Sequence, residues 1–152
     1  MTIIRGTLIE GVAGTFVQAA IDTNISIDGK YGWEITGFKA FLATGYTEVT
    51  TADWEINAVL STQVTTATAM SDPEELARIG WANNFTTASV AYPIEPIKTA
   101  QMLETRLTVQ PQIYVGIDAN GTAAVSRIYY EISYDIVKLT ELEVMRLLVG
   151  GV

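Results

Sequence analysis

Two runs of alternating apolar residues meet at an Asn-Gly pair within residues 107–138, LTVQPQIYVGIDANGTAAVSRIYYEISYDIVK. In the first run Leu107, Val109, Ile113, Val115 and Ile117 take odd positions, and in the second Ile128, Tyr130, Ile132, Tyr134 and Ile136 take even ones. A period of two gathers each set on one face of an extended strand, whereas a helix would scatter it around the axis. Asn120 and Gly121 both tolerate positive φ, which a type I′ turn demands. The sequence therefore predicts a hairpin in which Ile113 faces Ile128, Val115 faces Ser126 and Ile117 faces Ala124, all apolar residues lying on one side. Pro111 has no N–H for the ladder, so a bulge or a change of partner is expected there; beyond it Arg106 falls opposite Asp135.

A lone hairpin with one greasy face is not stable in water, so another layer must cover it. The rest of the chain can supply that layer. Residues 3–9 are β-prone and form an arm or an edge strand before the flexible run 10–14. Residues 15–27 alternate imperfectly up to the turn Asp28-Gly29-Lys30. Trp33, Ile35, Phe38, Phe41 and Leu42 mark the next strand, and its change of parity beside Gly37 predicts a bulge. Trp54, Ile56, Ala58 and Leu60 alternate cleanly with Asp53, Glu55, Asn57 and Val59. Residues 85–92 and 97–109 read as further strands, separated by Pro93 and Pro96.

Two helices are expected among these strands. Ser71-Asp72-Pro73-Glu74-Glu75 offers a capping box, with Asp72 capping toward Glu75 or Ser71 toward Glu74, and Gly80 would end that helix after about two turns. Trp81 would then anchor it to the sandwich. Thr140 and Glu143 make a second box, opening a short C-terminal helix over residues 140–149 that carries Leu142, Met145, Arg146, Leu148 and Val149. The fold expected is all-β: one antiparallel sandwich domain of about eight strands spanning residues 1–152, jelly-roll-like, with two short helices.

Composition narrows the function classes. With 49% hydrophobic residues the chain is no disordered tail. Its formal charge of −8, without any Lys/Arg run, disfavours direct nucleic-acid binding. The opening MTIIRGTLIEG lacks a basic segment followed by an apolar one, so no Sec-type signal is expected, and no apolar run is long enough to span a bilayer. Sequons at Asn24, Asn84 and Asn120 are read as chance in a Thr-rich chain. The chain contains neither His nor Cys, so Ser-His-Asp and Cys-His nucleophilic systems and His- or Cys-based metal sites are excluded.

What chemistry remains is sparse. Asp53 and Glu55 share a strand face about 7 Å apart, a spacing comparable to glycosidase carboxylate pairs, and Glu131 and Asp135 share one at twice that spacing, but such pairs are ordinarily a solvated outer face. Asp22, Asp28 and Asp118 lack the regular ligand spacing of a calcium loop. Catalytic, cofactor-binding and metal-ligating residues are accordingly all expected to be none. Trp33, Trp81, Tyr114 and Tyr129 are candidates for an aromatic sugar platform. Under the hairpin register Tyr114 would lie across from Arg127, where ring and guanidinium can stack, more a subunit contact than a catalytic device. The expected interface residues are Tyr114, Arg127, Tyr129, Leu142 and Met145, with Asn120 and Gly121 as the structural turn.

The closing segment, IYVGIDANGTAAVSRIYYEISYDIVKLTELEVMRLL, resembles small single jelly-roll capsid proteins of non-enveloped viruses, including viruses of bacteria and archaea. The shared pattern is a penultimate strand, a Gly-containing turn, a long tyrosine-rich last strand and a short terminal helix. It covers about a quarter of the chain. The resemblance implies a non-enzymatic virion subunit that assembles with copies of itself, and with other virion proteins, into a symmetric shell in the host cytoplasm. It also implies a helix insertion at residues 72–79 within an interstrand loop. The basic arm many such proteins use against their genome is missing here. The alternative expectation is a carbohydrate-binding β-sandwich module of a phage fibre or cell-surface protein.

Overall fold

A computed structural model of the chain describes residues 1–25, 30–43, 54–62, 75–83, 97–102, 106–122 and 124–150. Nine strands are seen among them: β1 (Thr2–Ile9), β2 (Val17–Asp22), β3 (Tyr31–Leu42), β4 (Trp54–Ser61), β5 (Glu75–Asn83), β6 (Ile97–Met102), β7 (Arg106–Thr108), β8 (Gln112–Asn120) and β9 (Arg127–Lys138). One helix follows, α1 (Glu141–Gly150). The strands form a front sheet in the order β1-β9-β3-β7 and a back sheet in the order β2-β8-β4-β5-β6, with every pairing antiparallel. β1 lies at an edge of the front sheet.

The pairings are nested. β1 pairs with β9, β2 with β8, β3 with β7 and β4 with β5, so the chain behaves as one long hairpin rolled up about its tip at β4 and β5. Rolling sends β1 and β2 into opposite sheets, and likewise β2 and β3, β3 and β4, β7 and β8, and β8 and β9. This is the jelly-roll arrangement, in which two sheets exchange strands at both ends and bury their facing sides. β6 extends the back sheet beyond β5. The core between the sheets is built from Ile4, Leu8, Ile35, Phe38, Ile128 and Ile132 on one side and Ile56, Leu60, Ile79, Ile113, Val115 and Ile117 on the other. Trp33 stacks on Tyr134 with ring centroids 3.6 Å apart.

The predicted hairpin is corrected by this topology. β8 pairs with β2 and β4, β9 pairs with β1 and β3, and Ile113 faces Ile21 while Ile128 faces Leu8 and Leu42. Of the Asn120-Gly121 pair only Gly121, at φ 72°, takes positive φ, so the step opens a crossover between sheets and not a type I′ turn. Ile113 and Ile128 both still point into the core, one from each sheet. Ahead of Pro111 the chain also changes partner, from β3 at Thr108 to β2 at Gln112, and the Pro111 carbonyl accepts the Thr23 N–H at 3.0 Å. Arg106 consequently sits beside Ile35 and not beside Asp135. The single strand expected over residues 97–109 is two, β6 and β7, in different sheets.

The helix expected over residues 72–79 is also overturned, because residues 75–83 are strand β5. Ala77, Ile79 and Trp81 point into the core with period two, and that burial outweighs the capping pattern. Residues 71–74 and 85–92, and Asp53, lie outside the described residues. The bulge at Gly37 is present: the β3–β9 register shifts between Ile35 and Gly37, which turns Trp33, Ile35, Phe38 and Ala40 to one side despite their mixed parity.

α1 begins where the sequence places it. The Thr140 N–H donates to Glu143 Oε2 at 2.8 Å and the Glu143 N–H donates to Thr140 Oγ1 at 3.3 Å, a reciprocal capping box. Val144 and Leu147 pack on Val109, Leu139, Leu107 and Val137, covering one end of the front sheet's outer side. Gly32 permits this, since a Cβ there would come within 2.8 Å of Leu139 Cδ1 and 3.2 Å of Leu107 Cδ1.

Candidate functional site

Three features outside the core between the sheets carry polar or exposed apolar groups in an ordered arrangement. The first is the outer side of the front sheet at the end away from α1. Register places Thr7, Tyr129 and Phe41 in one row across β1, β9 and β3, and Arg5, Glu131 and Lys39 in the next. Arg127 lies two residues before Tyr129 on the same side, roughly 7 Å along the strand. Glu131 ties its row together: Arg5 Nε donates to Oε2 at 2.8 Å and Lys39 Nζ to Oε1 at 3.4 Å. The hydrogen bond from Arg5, with a smaller one from Lys39, holds the Glu131 carboxyl below the usual carboxylate range. Phe41 and Tyr129 are 53% and 42% exposed. Beside them is a groove of about 370 Å³ lined by Arg5, Thr7, Phe41, Tyr129 and Glu131, with Tyr130 lying across Gly6 at its margin. Any Cβ at Gly6 would collide with the Tyr130 ring.

The second feature is on the outer side of the back sheet. A register shift between Leu60 and Ser61 inserts an extra residue into β5, so Leu76 and Ala77 both reach the core. That shift brings Glu75 and Arg78 onto the same side although they are an odd number of positions apart. They form a forked pair, with Arg78 Nε 2.9 Å from Glu75 Oε1 and Nη2 2.7 Å from Oε2, and both side chains are buried. The hydrogen bond that Arg78 donates to Glu75 raises the Arg78 pKa. Asn57, opposite Asp118 on β8, donates to Glu55 Oε1 at 2.7 Å. Burial pushes the Asp118 carboxyl above its ordinary range, with Arg78 pulling it down and Glu55 adding to the rise. Among the described residues no group of three acidic side chains could hold a metal ion.

The chain matches no protein-family model, no curated protein and no solved structure.

The third feature is the far side of α1. Leu142, Met145, Leu148 and Val149 are exposed there, and Met145 is 63% accessible. Ile136, near the end of β9, is exposed as well. Among the described residues no helix is long and apolar enough to cross a membrane.

The structure separates some residues that the sequence grouped. Trp33 and Trp81 are buried, at 2% and 5%, so neither serves an aromatic platform. Tyr114 and Arg127 lie in opposite sheets and do not stack; Tyr114 donates instead to Gln112 Oε1 at 3.0 Å. Arg127 and Tyr129 do belong to one patch, and Leu142 and Met145 to another. Sequence reasoning missed Phe41 as a surface residue. The parity change at Gly37 carried that information, since it puts Phe38 and Ala40 inside and leaves Phe41 outside.

Proposed function

We propose that this chain is a non-enzymatic structural subunit that assembles with copies of itself into a symmetric shell, in the manner of a single jelly-roll virion protein. The exposed apolar side of α1 carries the reading. Leu142, Met145, Leu148 and Val149 stand on a helix whose opposite side is already packed, so their exposure is not needed to hold the helix in place. A contiguous apolar surface that folding leaves uncovered marks a place where a protein meets another. The jelly roll supports the reading without deciding it, because the same fold hosts lectins and enzymes as well. With its formal charge of −8, the chain is also poorly suited to neutralising a packaged genome directly.

The test is the mass of the native assembly. Purified protein is expected to form a closed oligomer by multi-angle light scattering, with rings or shells in electron micrographs. Leu142→Glu with Met145→Glu is expected to reduce it to monomer while leaving the unfolding midpoint of the subunit nearly unchanged, since neither side chain supports the fold. Protein that stays monomeric at high concentration overturns the proposal.

A further inference from the structure

We infer that the groove beside Phe41 and Tyr129 on the front sheet binds an acidic saccharide. The inference does not depend on the assembly reading and uses different residues. Charge distribution is the first support. The chain holds nine Lys and Arg against seventeen Asp and Glu, yet Arg5 lines this groove, Lys39 shares its register row and Arg127 stands two residues before Tyr129 on the same side, with Glu131 between Arg5 and Lys39. A strongly acidic protein thus carries a local excess of positive charge where two aromatic side chains are exposed. Such a patch draws an anion.

The chemistry of the lining selects among anions. A sugar ring presents a face of C–H bonds and an edge of vicinal hydroxyls. Tyr129 and Phe41 stand side by side across β9 and β3, giving an apolar platform about two strands wide for the ring face. Glu131 is clamped by Arg5 and Lys39, so its carboxylate is already oriented, and its remaining lone pairs can accept from hydroxyls at the ring edge. Thr7, in the aromatic row, adds a small hydroxyl on the β1 side. Arg5 and Arg127 lie on opposite sides of the row along the strands, where a guanidinium can pair with the ligand's carboxylate or sulfate. A groove of about 370 Å³ is at the small end of ligand sites, enough for one or two rings.

The test is calorimetric titration of the intact protein with an oligogalacturonate trisaccharide and with a heparin-derived tetrasaccharide. A neutral cello-oligosaccharide of similar length serves as comparison. At least one acidic probe is expected to bind at least tenfold more tightly than the neutral one, with affinity falling as salt is raised. Tyr129→Ala and Arg5→Ser should each weaken that binding at least fivefold. Tyr114→Ala, on the opposite sheet, should leave it unchanged. Chemical-shift changes on binding should be confined to β1, the end of β3 and the start of β9. No binding of either acidic probe at millimolar concentration, equal binding of the neutral sugar, or full binding by Tyr129→Ala would each overturn the inference. A fall in native mass in the Tyr129→Ala variant would overturn it too, since the groove would then be filled by a second copy. Tyr129→Phe retains the ring and checks that any loss comes from the platform and not from misfolding.

Discussion

Glu10 joins the end of β1 to the approach to β9. Its N–H donates to the Ser126 carbonyl at 3.0 Å, and its Oε2 accepts from the buried Ser126 N–H at 2.6 Å. The residue is only 3% exposed. Removing it leaves a buried donor without its acceptor, which costs about 1–3 kcal/mol. Glu10→Ala should lower stability by that amount in urea titrations, whereas Glu10→Gln, which keeps an acceptor oxygen, should cost less. Asp118 makes the converse case. Its pKa is raised on folding because burial disfavours the charged form. The folded state thus holds the proton more tightly, so this contribution to stability is fully present below the unfolded value of 3.8 and is lost as pH rises through the folded one. Wild type should accordingly lose stability relative to the Asp118→Asn variant as pH rises above about 4 through the folded value, read from urea midpoints. A difference that stays constant over that range would remove the burial argument.

Strand β5 shows what a single element can and cannot disclose. Glu75 in sequence looks like the third residue of a helix behind a capping box, and that local pattern is genuine chemistry. The competing signal is the period of two in Ala77, Ile79 and Trp81 against Arg78, Gly80 and Ala82, and burial of the first set decides the outcome. Where no such competition existed, local reading served well. The Thr140–Glu143 box opens α1, and the parity change beside Gly37 is a bulge. The second bulge, opposite Ser61, was hidden because the helix reading removed the strand that contains it. That bulge makes the Glu75–Arg78 pair possible, which yields an element-scale prediction. Glu75→Ala buries a guanidinium without its carboxylate and should destabilise by about 3–5 kcal/mol. Glu75→Leu combined with Arg78→Met replaces both charges by apolar groups and should cost far less than the sum of the single changes. Additive losses in denaturant melts would mean that the two side chains do not act as a pair.

For the molecule as a whole, alternation discloses which side of a strand is buried but not which sheet the strand joins. Ile113 and Ile128 satisfy the same pattern whether they are neighbours in one sheet or meet from opposite sheets, and an Asn-Gly step permits either a hairpin or a crossover. Sheet assignment is a property of the nested pairing, in which the first strand must find the last. That nesting has a kinetic consequence. Only the β4 to β5 connection at the tip and its β6 extension stay within one sheet, while β2 with β8 and β1 with β9 join distant parts of the chain. Because loop closure precedes the reward from non-local contacts, folding should take on the order of milliseconds to seconds, as for other β-sandwiches. Trp33 reports on the front sheet, and Trp54 and Trp81 on the back; all three are buried. Neither sheet can bury its inner side without the other, so variants keeping only Trp33 or only Trp81 should show one refolding phase with the same rate constant in stopped-flow fluorescence. A separate fast phase seen by Trp81 alone would mean that the back sheet closes on its own, and that its inner side finds cover before the front sheet arrives.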